Sequence, residues 1–280
     1  MSVPEAVDGS AVARRHRVPG GDINEGWAVE LADGRRAFVK TRPDPPPGEY
    51  AAEAAALRWL AEPRAVRVPA VLEAADGFLA LEWIEPGPLS ADGWEALGAG
   101  LARLHAAGAP AFGLLEWPLR IGSLPFDATP AADWPAFYAE RMLAPLARRA
   151  RDHGSLSAPG AETVTRVCER IAELAGPAEP PARLHGDLWS GNVMGGADGR
   201  AWLIDPAAYG GHREVDLAML RLFGSPPPRF LAAYEDVTPL AEGHERRVAL
   251  YQLLPLLIHA VLFGGAYGAS AERAARRCVG

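Results

Sequence analysis

The segment His185-Gly186-Asp187-Leu188-Trp189-Ser190-Gly191-Asn192 places an aspartate five residues before an asparagine. An apolar run, Trp202-Leu203-Ile204, then delivers a second acid, Asp205, just ahead of Pro206. These residue types in this order suit phosphoryl transfer to an alcohol. A carboxylate within hydrogen-bond reach of a hydroxyl orients it and takes its proton, which makes Asp187 the candidate catalytic base. Mg2+ takes hard oxygen ligands and keeps phosphate and water in its shell, so one amide oxygen and one carboxylate, Asn192 and Asp205, suffice as metal ligands. Each residue alone has an ordinary reading. An Asp after Gly is usually a turn, an Asn caps a loop, and an Asp before Pro ends a strand. All three in register are hard to produce by accident, because strand 201–204 carries Asp205 to a sheet end.

Such a site also needs a cation for the nucleotide's phosphates. Lys40 ends the apolar strand 37–40, where a lone lysine is commonly a solvated edge charge. Glu53, in the following helix, shares a face with Ala56, Leu57 and Leu60. A Lys–Glu pair linking strand to helix positions an ammonium on phosphates, with Glu49, one turn earlier, as the competing partner. Gly20 and Gly21 offer backbone amides at a tight turn suited to covering phosphates, although paired glycines are commonly only turns. Residues 82–84, from Glu82 to Ile84, form the expected hinge that reads an adenine edge through backbone groups. ATP and Mg2+ are thus the expected cofactors. His185 reads as a structural residue that fixes the loop, and Asp216 as an acceptor for the loop's backbone N–H groups. Trp189 either faces the substrate or packs.

These residues need two kinds of scaffold. The first third reads as strand-rich: extended runs flank the 20–26 turn, and strands 27–31 and 37–40 meet at Asp33-Gly34, a hairpin signal. Strands 68–72 and 78–83 flank Asp76-Gly77. Residues 49–60, rich in Ala, Glu and Leu without Gly or Pro, predict a helix. Glu85-Pro86-Gly87-Pro88 marks a lobe boundary, dividing 1–85 from 86–280. Beyond it, helices are expected over 94–107, 137–153, 161–174, 214–223 and 246–263, with an irregular stretch at 117–135 and a loop and hairpin over 183–207. Among 280 residues, 49% are apolar, enough for a substantial core. A net charge of -7 and scattered arginines argue against nucleic acid as a partner. The two cysteines, Cys168 and Cys278, lack metal-ligand spacing and suit free thiols in a reducing cytosol. The first twelve residues lack the apolar core of a secretory signal, and the apolar stretch 250–269, broken by Pro255 and three glycines, suits a buried helix rather than a membrane span. A cytoplasmic protein with no membrane partner is the expectation.

Taken together, His185 to Asn192, Leu203-Ile204-Asp205-Pro206 and the run from Gly211 to Met219 resemble the fructosamine (ketosamine) kinase family. The similarity extends to Gly20-Gly21 with Ile23-Asn24, Phe38-Val39-Lys40, Asp133-Trp134 with Phe137-Tyr138, Leu222-Phe223-Gly224 and Leu262-Phe263-Gly264-Gly265, nearly the whole chain. The Trp189-Ser190-Gly191 insert separates this family from its aminoglycoside and choline phosphotransferase relatives. The resemblance implies an α+β, protein-kinase-like two-lobed fold, with a small β-rich N-terminal lobe and a larger, mostly α-helical C-terminal lobe. It implies ATP-dependent phosphorylation of the O3 hydroxyl of a ketosamine, a free glycated amine or glycated protein, in deglycation. Asp187 would be the base, Asn192 and Asp205 the metal ligands, and Trp189 and His259 would meet the substrate. The chain departs from the family at Pro118 and Leu119, where Asp-Asn is usual. It departs again at Ile258 and Val261, where asparagines usually flank the histidine, and Asp22 stands where a small residue is common. These departures bear on substrate identity. Two readings compete from outside the class: a nucleotide-binding pseudoenzyme, and a zinc hydrolase built on His185, Asp187 and His212.

Overall fold

A computed structural model of the chain describes residues 3–18, 24–114 and 116–280. The N-terminal part is a six-stranded antiparallel sheet. Its strands are β1 (Ala6–Val7), β2 (Ser10–Val18), β3 (Glu25–Leu31), β4 (Arg36–Thr41), β5 (Val71–Ala75) and β6 (Phe78–Glu82), in the order β1-β2-β3-β4-β6-β5. The Asp33-Gly34 turn joins β3 to β4 as the sequence predicts: Gly34 has φ 87°, and the Asp33 carboxylate accepts from the Arg35 N–H at 2.9 Å. Val29, Leu31, Ala37, Val39 and Ala80 pack together on one face of the sheet. Helix α1 (Glu49–Ala61) covers the other, burying Tyr50, Ala54 and Leu57 on Leu79 and Leu81. Strand β5 starts at Val71 rather than Val68. Pro69 has no N–H for a ladder, and Ala70 is held instead by the backbone N–H and side-chain carboxylate of Glu82.

After residue 84 the chain becomes mostly helical. Helix α2 (Ala91–Ala106) begins earlier than expected because Ser90 caps it, accepting from Gly93 N–H at 2.9 Å. A short hairpin, β7 (Arg120–Ile121) and β8 (Leu124–Pro125), interrupts the irregular stretch. The helix expected over 137–153 opens with a single turn, α3 (Trp134–Ala136), capped by Asp133. A π-helical segment, Phe137–Leu143, and α4 (Ala144–Asp152) complete it. The next expected helix divides into α5 (Ala158–Glu169) and α6 (Ile171–Leu174). Strands β9 (Ala182–Leu184) and β12 (Tyr209–Gly211) pair with each other, and between them lies the hairpin of β10 (Val193–Gly195) and β11 (Ala201–Leu203). Helix α7 (Glu214–Leu220) stops three residues short of the expected end, and α8 (Pro228–Val237) and α10 (Tyr267–Val279) are helices the sequence reading did not announce.

Between α8 and α10 runs α9 (His244–Phe263), long and apolar enough to cross a membrane by length and composition. Its residues Leu250, Tyr251, Leu253, Leu254 and Leu257 lie in the main hydrophobic core with Phe137, Tyr138, Met142 and Val167. The fold is the two-lobed α+β arrangement expected. The lobes are joined by more than the 82–90 crossover. Ala56 and Leu60 of α1 share a hydrophobic cluster with Leu101 and Leu104 of α2, Leu188, Leu203, Leu217 and Phe230.

Candidate active site

The loop between β9 and β10 is shaped from beneath by one buried acid. Asp216, on α7, is fully buried and accepts from His185 N–H at 2.7 Å and Gly186 N–H at 3.0 Å. His105, on α2, adds a contact from Nε2 at 3.2 Å, and its Nδ1 meets the Tyr234 hydroxyl at 2.8 Å. Burial works against a charge on Asp216, but the His105 contact and the backbone donors outweigh it and hold this carboxyl below its usual range. His185 engages both ring nitrogens with the backbone: Nδ1 accepts from Asp187 N–H at 3.3 Å and Nε2 donates to the Ile204 carbonyl at 3.0 Å. This fixes a neutral imidazole, and burial keeps its pKa below the ordinary value. Gly186 has φ 82°, and a Cβ there would fall against the Ala207 carbonyl oxygen, so the turn needs glycine.

Asp187 follows that turn. Asn192, 5% exposed and in the 3-10 turn Ser190–Asn192, donates from Nδ2 to the Asp187 carbonyl oxygen at 2.8 Å and to Oδ2 at 3.1 Å. The two donations occupy the Asn192 Nδ2, so its amide oxygen is the atom that could meet a cation. Burial pushes the Asp187 carboxyl up to about 7, the Asn192 hydrogen bond opposes this, and the charges of Asp205 and Asp216 add to it. A carboxyl near neutrality is matched to proton transfer at physiological pH.

Lys40 approaches from the sheet. Its Nζ donates to Glu53 at 2.7 Å and to Asp205 Oδ1 at 2.5 Å. Glu49, the competitor, pairs with Arg42 at 3.2 Å instead. Burial works against the Lys40 charge, but Asp205 and Glu53 outweigh it and hold the ammonium above its usual range. Burial raises the Glu53 carboxyl, with Lys40 opposing. Asp205 has φ 55°, a left-handed conformation rare outside glycine, which costs about 1–3 kcal/mol and aims its half-exposed carboxylate at Lys40. Lys40 is the only lysine in the chain among 28 basic residues, a signal of its importance available from composition alone. Asn192 and Asp205 supply the hard oxygen donors that suit Mg2+, and Lys40 the charge that suits phosphates, so the residues present fit a metal–nucleotide pair.

The remaining expected residues fall around this centre. Glu82 ends β6 and Ile84 is buried on the crossover, which is zipped to the β10–β11 hairpin by Gly87 N–H to Gly195 at 2.9 Å and Ala197 N–H to Glu85 at 2.8 Å. Gly20 and Gly21 lie outside the described residues. Trp189 is 37% exposed, its ring folded over Gly191, where any Cβ would collide with the indole. It meets Phe223 edge-on at 5.9 Å, and Phe223 lies 5.1 Å from His259. His259 Nδ1 donates to the Pro255 carbonyl at 2.7 Å, and burial lowers its pKa, leaving Nε2 as an acceptor. Leu119 and Ile258, two of the departures expected to bear on the substrate, are buried core residues at 3% and 5% exposure. They therefore act on packing. His212 does not join His185 and Asp187: its ring stacks on Tyr251 at 5.2 Å, beside Trp134. With both His185 nitrogens engaged, these residues make no zinc site. His105 was visible only as a polar residue on an apolar helix face.

A fructosamine kinase family model matches residues 3–280. A probable ketoamine kinase of Thermus thermophilus is 41% identical over 248 residues, covering 89% of this chain and 87% of that one. The crystal structure of a candidate fructosamine-3-kinase from Thermobifida fusca superposes with a TM-score of 0.92 at 45% identity, covering 98% and 96% of the two chains. A choline kinase from Streptococcus pneumoniae shares the fold alone, with a TM-score of 0.63 at 18% identity over 96% of this chain and 94% of that one.

Proposed function

Because the chain belongs to the fructosamine kinase family, phosphotransferases with a hydroxyl acceptor, we propose that it phosphorylates the O3 hydroxyl of a ketosamine with ATP and Mg2+. The reading rests on one observation above others: Asp187, raised toward neutrality and oriented by Asn192, is brought together with Lys40, Glu53 and Asp205. Residues 1–85 are read as the nucleotide lobe and 86–280 as the lobe that binds the acceptor. Asp187 takes the hydroxyl proton on one carboxylate oxygen while the Asn192 amide donates to the other, Oδ2, and orients the group. Asn192 and Asp205 would hold the cation, and Lys40, kept charged and aimed by Glu53, would supply the positive charge for the phosphates. When bound, the nucleotide would supply the phosphoryl group and Mg2+ would offset the charge on its oxygens. Gly20, Gly21 and the Glu82–Ile84 backbone are assigned to the same nucleotide. Trp189 and His259 form the wall that meets the acceptor. A phosphate at O3 destabilises the sugar–amine adduct, which gives the reaction a role in deglycation.

The deciding measurement is phosphoryl transfer from ATP to a panel of fructosamine, ribulosamine, aminoglycoside and choline acceptors. Turnover of the two ketosamines, lost on chelation of Mg2+, is expected. Turnover restricted to an aminoglycoside or choline would replace this reading with that of a related phosphotransferase.

A further inference from the structure

Beyond Trp189 the aromatic wall continues. Phe223 and His259 are followed by Phe263, 5.5 Å from the His259 ring, and Tyr267, 4.9 Å from it. Trp189, Phe223 and Phe263, exposed at 37%, 40% and 57%, are three of the four exposed large hydrophobic residues among those described. A row of exposed rings that begins two residues from the catalytic base is a surface for substrate rather than for core. Phe223 and Tyr267 also line a cleft of about 250 Å³ between the segment that follows α7 and helices α9 and α10. Its polar lining is Gln252, Ser270, Arg273 and Arg277, with no acidic residue.

In a chain of net charge -7 this cleft is locally basic. Arg273 donates to the Ser270 hydroxyl at 2.7 Å, and among the described residues neither Arg273 nor Arg277 pairs with a carboxylate. The nearby acid, Glu272, is engaged by Arg276 and by Ser157 N–H. Two guanidinium groups without carboxylate partners, beside a ring wall, match a ligand with an apolar stem and a carboxylate end.

Resting on the ketosamine reading above, we propose that this cleft takes the carboxylate of the acceptor's amine half, so that the preferred substrates are ketosamines of free amino acids. The sugar lies at Asp187, the amine substituent crosses Trp189 and Phe223, and Arg273 and Arg277 receive the carboxylate. Protein-bound adducts, whose carboxylate is tied up in a peptide bond, lack that anchor.

The test compares ribulosyl-Nε-lysine bearing a free α-carboxylate with its α-carboxamide, at saturating ATP. The acid is expected to have a kcat/KM about tenfold higher, mainly through KM, since a charge-assisted pair contributes about that much. In the Arg273→Gln/Arg277→Gln variant the acid should fall to the level of the amide while the amide is unchanged. Both positions are exposed, and a thermal melt identifies any general loss of structure. Equal kcat/KM for acid and amide in the parent, or an equal loss for both in the variant, overturns this proposal and leaves the ketosamine reading standing. Turnover of neither adduct removes the ketosamine reading and this proposal with it.

Discussion

At the residue scale, the site divides by sequence distance. Asp187, Asn192 and Asp205 lie within one short stretch, so their types and spacing announce themselves. The Lys40–Asp205 contact spans 165 residues and closes only when the sheet meets the hairpin. Glu49 and Glu53 are one turn apart on the same face, and only the approach of β4 to α1 decides which of them reaches Lys40. His105 and Asp216 are 111 residues apart, and nothing local marks them as partners. Asp187 yields the sharpest prediction. Asp187→Asn should lower kcat by about 10²–10⁴-fold with little change in nucleotide affinity. Its effect on stability has a sign. Burial pushes the folded carboxyl up to about 7 while the unfolded one keeps the ordinary aspartate value, so the unfolded chain releases the proton first as pH rises. The parent therefore loses stability between about pH 4 and 7, and the Asn variant, which carries no titrating group there, does not. Melting temperatures across this range should show the variant gaining on the parent toward pH 7, and a constant difference would show that burial does not hold the proton on.

At the element scale, turn chemistry was readable and helix boundaries were not. Asp33-Gly34 specifies its hairpin because only a positive-φ residue closes it. Ser90, Asp133 and Ser157 each start a helix before its apolar pattern begins. Helix α8 hides behind Ser225-Pro226-Pro227-Pro228, whose prolines read as loop although a proline in the first turn of a helix loses no hydrogen bond. The Trp189-Ser190-Gly191 insert gains a physical meaning from the structure: the missing side chain at 191 lets the indole lie down over the loop. Gly191 is not among the positive-φ residues, so valine is tolerated by the backbone there but lifts the ring. Gly191→Val should raise the acceptor KM several-fold and leave the KM for ATP unchanged, as measured by steady-state kinetics in both substrates. A rise in both would mean the loop itself, rather than the ring, had been displaced.

At the scale of the whole molecule, the change from strands to helices near residue 85 was readable, but the degree of fusion between the lobes was not. The C-terminal end of α1 is embedded in the cluster that includes Leu203 and Phe230. Arg183 donates to the Trp59 carbonyl, stacks over the Trp59 ring at 4.4 Å and pairs with Glu62 at 2.9 Å, while Trp59 meets Trp117 edge-on at 5.8 Å. Arg67 bonds Asp198 and covers Trp202 at 4.3 Å, fastening the segment before β5 to the hairpin that carries Asp205. The helix that pairs with Lys40 is thus anchored in the C-terminal lobe. Trp59→Ala should cost about 2 kcal/mol, and both parent and variant should unfold in one calorimetric transition; two separate transitions would show lobes that fold independently. The solitary lysine has a consequence of its own. Open-chain sugars condense with exposed, unprotonated ε-amines to form imines that rearrange into ketosamines. Here the one ε-amine is buried and ion-paired, with its pKa held above the usual range, so the chain presents these electrophiles with no exposed lysine, and a protein proposed to act on such adducts is expected not to accumulate them on its own lysine side chain.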